Sequence, residues 1–194
     1  MLFRSVQESR EQHALRTGSL QWSHSLEGQR VAGRGVIANG RVCVSVVGAP
    51  HRAYPSRVAQ YDLLTGHGYE VMSVGLSEKL SGTTQAARTA AERFDGRVRV
   101  FDSMSGSCGE GLLAIIAAEA AKQDMTLDEI ENLLLELRPD CHTFGFADDL
   151  SYLVRGGRVP GWIKKVTDFL HISPLLAEKH GRFTLAGFTT DRKS

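Results

Sequence analysis

The stretch from Val71 to Thr84 places hydroxyl side chains and a glycine where a helix is predicted to begin. A short apolar run gives way to Ser77, then to Ser81-Gly82-Thr83, and then to an alanine-rich segment at helical spacing. This order predicts a strand, a loop and the first turn of a helix. The first N–H groups of a helix have no partner within it, so such a turn suits a carboxylate or a phosphate.

A second polar turn follows the strand predicted at Val98 to Phe101. It starts with Asp102 and Ser103 and continues through a run of Ser, Gly and Cys as far as Gly109. Loops at the carboxyl ends of neighbouring parallel strands open on one crevice, so both turns could line the same site. The alternative interpretation is that the hydroxyls of the first turn are helix caps and that Asp102 only begins a turn.

A third distinctive run is Asp148 to Val159, in which Gly156-Gly157 is predicted to end a short helix. An arginine stands on each side of the glycine pair, and Arg155 with Arg158 could form a fork for an anion or an acidic partner. The alternative is a helix C-cap with solvated arginines.

Strand–loop–helix units position these residues. Val42 to Val47 predicts the first strand, preceded by the turn pair Asn39-Gly40 and a possible hairpin arm at Val36-Ile37. Residues 1 to about 35 show no sustained period and are interpreted as an uncertain, divergent or poorly ordered segment, a frayed helix followed by loop. Two prolines predict a loop from Gly48 to Arg57, with a helix beginning at Val58.

A helix is predicted after each of the first two polar turns, and the helix after the second turn is expected to be buried on most faces. Thr126 with Glu129 predicts a capping box at the start of the helix that follows. From Cys141 onward short strands and helices follow, and His180-Gly181 predicts a hairpin. The predicted fold is therefore α/β: a domain at residues 36–140 with a parallel sheet, and a smaller, incomplete α+β domain at residues 141–194.

Composition excludes several functional classes. A net charge of +1 gives no basic field for nucleic acid, and no apolar run is long enough to span a membrane. The amino end lacks a secretory h-region, which predicts a cytoplasmic protein. The three cysteines have no Cys-x-x-Cys spacing and the seven histidines no ligand spacing, so neither disulfides nor a metal site is expected. Common nucleotide-binding and hydrolase motifs are missing.

Several segments match one known family in order along the chain. They are Leu76-Ser77-Glu78-Lys79-Leu80-Ser81-Gly82-Thr83, Val100-Phe101-Asp102-Ser103 with Gly109 and Gly111 downstream, Asp149-Leu150-Ser151-Tyr152-Leu153 before Gly156-Gly157-Arg158-Val159, and Phe169-Leu170-His171-Ile172-Ser173-Pro174-Leu175-Leu176. With Gly181 further on, they resemble the DegV family of bacterial lipid-binding proteins from about Tyr54 to the end.

This resemblance implies a protein that holds a long-chain fatty acid between two domains. Its carboxylate would lie near Ser81, with Gly82, Thr83 and Arg52 beside it, and an apolar tunnel would hold the tail. Such a protein is no enzyme and needs no cofactor, but it can present the acid to a separate fatty acid kinase subunit. Candidates for the tunnel, each equally compatible with ordinary core, are Leu112, Leu113, Ile115, Ile116 and Phe146. Residues that could line the pocket or face a partner are Ser77, Asp102, Ser103 and Arg158.

The chain also departs from the family pattern. Arg52 stands where the family has a threonine that assists carboxylate binding, and the family's opening strand with its Asp-Ser pair is not visible before residue 45. The chain ends where family members continue. A non-binding remnant or interaction module with the same fold elements is therefore the alternative. A phosphotransfer or hydrolytic enzyme using Asp102 is a third hypothesis, for which no base, nucleophile elbow or metal set is found.

Overall fold

The computed structural model describes residues 20–26, 29–39, 41–47, 53–146, 150–170 and 172–189. These form a five-stranded sheet flanked by helices and a three-stranded antiparallel sheet. The strands are β1 Leu20–Leu26, β2 Gln29–Asn39, β3 Val42–Val47, β4 Glu70–Gly75, β5 Val98–Asp102, β6 Phe144–Phe146, β7 Ser173–Lys179 and β8 Arg182–Thr189. The α-helices are α1 Ala53–Gly66, α2 Thr83–Ala91, α3 Cys108–Lys122, α4 Leu127–Leu137, α5 Ser151–Arg155 and α6 Gly161–Leu170, with short 3₁₀ turns at Glu92–Phe94 and Arg138–Asp140.

The first sheet has the strand order β1-β2-β3-β4-β5. Its last three strands are parallel, as expected for strand–helix–strand units, and β1 to β3 form an antiparallel meander. The predicted hairpin arm is confirmed, because Val36 pairs with Ser45 and Ile37 with Val44. The expectation of helix and loop before residue 35 is wrong for the described part of that segment. Its strands pair with each other and with β3 as antiparallel hairpins. Their polar sequence has no regular hydrophobic period that would have predicted them.

The loop predicted through Arg57 is also wrong, because α1 begins at Ala53 and contains Pro55. Proline lacks an N–H, but the first-turn N–H groups of a helix have no intrahelical acceptor in any case. Pro55 is therefore compatible with the first turn, and only a proline further along would have broken the helix. This longer helix brings Arg57 and Gln60 to the end of β3.

Helices cover both faces of the first sheet. On one face α3 and α4 pack on Val44, Met72 and Phe101, and on the other α1 and α2 pack on Cys43 and Val71. Small alanines of α2 and α3 allow close approach to the strands. Most of the buried apolar side chains lie in these two layers. Because hydrophobic stabilisation grows with the apolar surface removed from water, these layers supply most of it.

Helix α3 is less buried than its composition predicts. Leu113 and Ala117 are fully buried, but Leu112 and Ile115 are 50% and 57% exposed. The prediction of a helix buried on most faces is therefore wrong for one stripe, since only one side of α3 faces the sheet. The next helix follows its prediction: Thr126 accepts from the Glu129 N–H while Glu129 accepts from the Thr126 N–H, a complete capping box.

The second sheet has the order β6-β7-β8, all antiparallel. The predicted hairpin is confirmed, since Lys179 pairs with Arg182 and the turn residues His180 and Gly181 both have positive φ. Helices α5 and α6 cover one side of this sheet through a small core whose buried members are Leu150, Val159, Ile163 and Leu176. The predicted α/β class, with a parallel portion and a separate small antiparallel sheet, is thereby confirmed.

Candidate functional site

The turn between β4 and α2 is held by hydrogen bonds around the buried Ser77. The N–H groups of Leu80 and Ser81 donate to the Ser77 carbonyl at 2.9 and 3.0 Å, and Ser77 N–H donates to Ser105 in the neighbouring turn at 2.8 Å. Thr84, fully buried, donates through Oγ1 to the Leu76 carbonyl at 2.5 Å. The two polar turns identified in the sequence therefore meet, and they fix the entry to α2.

Gly82 is the N-cap of α2 and supplies no side-chain cap. Ser81, which is partly exposed, instead accepts from the Thr83 hydroxyl at 3.2 Å and from the Thr83 N–H at 3.4 Å. The bond to the N–H is long, so the interpretation of Ser81 as a simple cap is weakly supported. Within the part of the chain that the structure describes, the O–H of Ser81 has no acceptor, and the first turn of α2 keeps its capacity to bind an anion.

Arg158 lies at the same turn. Its Nε donates to the Leu80 carbonyl at 2.8 Å, one residue before Ser81, and its guanidinium also contacts the Gly156 carbonyl. The predicted fork with Arg155 is not formed, because the Arg155 guanidinium lies 4.7 Å from the ring centroid of Tyr152. Gly157, with φ +71°, lies between the two arginines, and of the two it is Arg158 that reaches the turn before α2.

Ser77 and Glu178 connect the second sheet to the first. Ser77 Oγ donates to the Gly181 carbonyl at 2.8 Å, and Glu178 Oε2 accepts from Ser105 Oγ at 2.6 Å and from the Gly106 N–H at 3.0 Å. We call these five residues the joint. Ser77, expected to line a pocket or face a partner, thus binds the hairpin of its own chain.

Asp102 and Ser103 stabilise the second polar turn from within. Asp102 Oδ1 accepts from the Met104 N–H at 2.8 Å, and the buried Ser103 hydroxyl donates to the Ser105 carbonyl at 3.0 Å. The Asp102 carbonyl accepts from Arg138 at 3.1 Å. Both residues are close to the joint, but their side chains form hydrogen bonds within the turn itself.

Sequence reasoning missed two buried ionisable groups, Arg57 and Glu110, near the carboxyl ends of β3 and β4. Arg57 and Glu110 are 4% and 6% exposed, and Arg57 donates to the Val46 carbonyl at 3.5 Å and to Gln60 at 3.0 Å. Burial raises the pKa of Glu110 to about 7, although Arg57 and a hydrogen bond from the Leu76 backbone act to lower it. The sequence feature that could have indicated a buried carboxyl group is Glu110 itself, a glutamate in the first turn of the very apolar helix α3.

Arg52, the residue proposed in place of a threonine, lies outside the described residues.

Across the described ranges, no group of three or more His, Cys, Asp or Glu side chains could hold a metal ion. No helix in those ranges is long and apolar enough to cross a membrane. Cys43, Cys108 and Cys141 are free thiols, and burial raises the pKa of Cys43 to about 12.

Comparison with known proteins assigns the chain to a family. The profile of the DegV family, described as uncharacterised proteins, matches residues 55–194. The chain belongs to the DegV family. A DegV domain-containing protein of Deinococcus radiodurans is 34% identical over 140 residues, which are 72% of this chain and 50% of that protein.

Solved DegV structures share the fold. A DegV family protein of Thermus thermophilus, described by its fatty acid binding, superposes with a TM-score of 0.65 at 32% identity, covering 78% of this chain and 52% of that one. DegV of Bacillus subtilis, described as a fatty acid binding protein, gives a TM-score of 0.58 at 28% identity, covering 72% and 50%. The chain therefore spans about half the length of the relatives that it matches.

Proposed function

We propose that this chain binds the carboxylate of a long-chain fatty acid at the start of α2 and takes part in lipid binding without catalysis of its own. The proposal rests on the DegV relatives that bind fatty acids and are at least 25% identical. The observation that carries it to particular residues is the uncapped first turn of α2, where Ser81 keeps a hydroxyl available beside Gly82 and Thr83.

Electrostatics favour an anion at this turn. The α2 dipole places partial positive charge at Gly82, and Arg158 brings a cation to the adjacent Leu80. Arg52 belongs to the proposed head-group contacts because an arginine can bind a carboxylate through two parallel hydrogen bonds. Ser77, Asp102 and Ser103 would act by holding the two turns in place.

The tail needs an apolar surface that leads away from the head group. Leu112 and Ile115 lie at helical spacing after Cys108, whose thiol contacts Thr143 at 3.9 Å. Strand β6 starts at the next residue and exposes Phe144 and Phe146 to 62% and 60%. We assign the acyl chain to this surface, whereas Leu113 and Ile116 belong to the core and its edge.

We further propose that the bound acid is presented to a separate fatty acid kinase subunit. The exposed Gly82 at the head-group turn would let a second protein approach the carboxylate. Because that partner would use ATP, the proposed compartment is the cytoplasm.

The binding proposal is tested by measuring affinity for oleic acid by titration calorimetry. Ser81→Ala should weaken binding by about 1.5–3 kcal/mol, the worth of one charge-assisted hydrogen bond. Thr89→Ala is the matched control, since this exposed hydroxyl of α2 donates to the Gln85 carbonyl of its own helix. Equal affinity of all three proteins would place the head group elsewhere.

The second candidate function is an interaction module that keeps the fold but binds no lipid. It is favoured by exposed aromatic side chains on the second domain, of which Phe169 is 83% and Tyr152 77% exposed. Large exposed apolar side chains can form part of a protein contact. Mass spectrometry of the denatured protein separates the two candidates, because only the first predicts an extractable long-chain acid.

A further inference from the structure

Two of the three cysteines lie on opposite sides of the contact between the start of α3 and the segment that leads into β6. Cys108, which is exposed, is the first residue of α3, and Cys141, which is partly buried, follows the 3₁₀ turn Arg138–Asp140. The Cys141 thiol lies 3.6 Å from the carbonyl oxygen of Gly109, the neighbour of Cys108. The Cys108 thiol lies 3.9 Å from the hydroxyl of Thr143, close to Cys141 in the chain. Each thiol therefore reaches the segment that carries the other.

These two segments are closely packed where the thiols lie. A methyl group at Gly109 would overlap the Thr143 hydroxyl, so the absence of a side chain there permits the approach. The hydroxyl oxygens of Ser105 and Thr143 lie 3.1 Å apart and hold the segments together. A disulfide needs two Cα atoms within about 7 Å of each other. Because Cys108 is exposed, its side chain can rotate from Thr143 toward Cys141 without displacing core residues.

The environments of the three thiols differ. Burial raises the pKa of the Cys141 thiol, and the negative charges of Glu178 and Cys108 raise it further, an effect that acts only between close groups. An exposed thiol with a second, less accessible thiol beside it is typical of a redox-sensitive pair. Cys141 also lines a cleft of about 280 Å³, which admits small reagents. Cys43, in contrast, is fully buried in β3, and burial raises its pKa to about 12, so it should remain unreactive.

We propose that Cys108 and Cys141 form a reversible disulfide when the protein is exposed to hydrogen peroxide. The Cys108 thiolate attacks the peroxide, an S–O bond forms, the O–O bond breaks, and the departing hydroxide takes the proton that Cys108 lost. The Cys141 thiolate then attacks the Cys108 sulfur, an S–S bond forms, the S–O bond breaks, and hydroxide leaves with the proton that Cys141 lost. Two thiols are oxidised to one disulfide, and one peroxide is reduced to two waters. The new bond ties the lead-in to β6 to α3 and adds a covalent link beside the joint.

Peptide mass spectrometry of the whole chain, oxidised in dilute solution and digested without reductant, tests the proposal. After peroxide treatment the peptides that contain Cys108 and Cys141 should be joined, and dithiothreitol should separate them. The Cys43 peptide of the same sample should remain a free thiol, which makes it the internal control. Disulfide-linked dimers, oxidation of Cys108 to sulfinic acid with Cys141 still reduced, or two unreacted thiols would overturn the proposal.

Variants separate the roles of the two thiols. In Cys141→Ser the sulfenic acid of Cys108 has no thiol to react with, so its labelling by dimedone should persist, whereas in the unaltered chain it should be lost as the disulfide forms. Cys43→Ala removes a thiol that takes no part and should leave the disulfide unchanged. Equal dimedone labelling of Cys141→Ser and the unaltered chain would overturn the assignment of Cys141.

Thermal unfolding measures the effect of the bond on the fold. Because a disulfide restricts the unfolded chain, the oxidised protein should have a Tm higher than that of the reduced protein by about 5 °C or more. Cys108→Ser, at an exposed position, should keep the Tm of the reduced protein and show no rise with peroxide. An oxidised chain no more stable than the reduced one would overturn the proposal. None of these measurements involves oleic acid, so this proposal and the fatty-acid proposal can fail separately.

Discussion

The first sheet is covered by helices on both faces, whereas the second leaves Phe144 and Phe146 more than half exposed. The first sheet and its helices have two extended cores that include fully buried Met72, Leu113 and Tyr61, and the second sheet has one small core under α5 and α6. Folding free energy should therefore be concentrated around the first sheet. The exposed apolar surface of the second is available for a ligand or a partner.

Adjacent leucines of α3 give the largest expected contrast. Leu113→Ala empties a fully buried site and should lower the free energy of unfolding by about 2–5 kcal/mol. Leu112→Ala, at a half-exposed position, should change it by less than about 1 kcal/mol while weakening oleic acid binding. Urea denaturation measures both free energies. Equal destabilisation by the two variants would mean that Leu112 is covered in solution.

Stability should also depend on pH through buried carboxyl groups. The pKa of Glu110 rises on folding from 4.5 to about 7, so the folded state favours its protonated form, and this stabilisation is lost as pH increases from about 4.5 to 7. We expect a loss of about 2 kcal/mol across that window in the unaltered chain that is absent in Glu110→Gln. Denaturation curves at a series of pH values measure it.

Glu178 provides the comparison in the second domain. Burial also raises its pKa, but bonds from Ser105 and Gly106 oppose the shift, so its contribution has the same sign and a smaller size. Glu178→Gln should therefore leave most of the pH dependence in place. If Glu178→Gln removed the pH dependence of the free energy of unfolding and Glu110→Gln did not, the dependence would have to be assigned to Glu178 instead of Glu110.

Close packing at the joint predicts a further contrast between glycines of one helix. A methyl group at Gly109 would overlap the hydroxyls of Ser105 and Thr143, whereas at Gly111 it meets nothing within 4 Å. Gly109→Ala should cost about 1–3 kcal/mol and loosen the second sheet, which hydrogen exchange would detect. Gly111→Ala should be neutral or stabilising by up to about 1 kcal/mol. Unchanged exchange in both variants would argue against a close-packed joint.

The smallest effect is expected at the helix cap of the first domain. Thr126→Ala removes the capping-box acceptor of α4 and should cost about 1 kcal/mol. Thr184→Ala removes a hydroxyl that donates to the Ala177 carbonyl in the exposed second sheet and should cost less. Thermal unfolding measures both variants. A larger loss at Thr184 would contradict the view that stability resides mainly in the first domain.

Local patterns predicted the elements well. The Thr126–Glu129 box and the His180-Gly181 hairpin needed only nearby residues, and both are confirmed. Apart from the hairpin arm at Val36-Ile37, β1 and β2 were missed because they form by pairing with each other and with β3 and show no regular hydrophobic period of their own. The start of α1 was mispredicted because Pro55 was expected to prevent a helix. Proline breaks a helix only beyond its first turn, and Pro55 lies within the first turn.

The candidate site was less predictable. Ser77, Ser81 and Asp102 could be proposed from the sequence because ligands commonly bind at the carboxyl ends of parallel strands. The surroundings of Glu110 and Glu178 depend on elements distant in the chain, because the charge of Arg57 acts on Glu110 and Ser105 donates to Glu178. No spacing rule brings such residues together, so only the folded structure reveals them.

The central claim is that the head group of a fatty acid lies at Ser81. It is tested most directly by the ¹³C resonance of carboxyl-labelled oleic acid bound to the protein. The account predicts one protein-bound carboxyl signal, displaced from that of the free acid, which moves in Ser81→Ala and stays in place in Thr89→Ala. A bound signal that is identical in Ser81→Ala and the unaltered chain, or no bound signal at all, would contradict it.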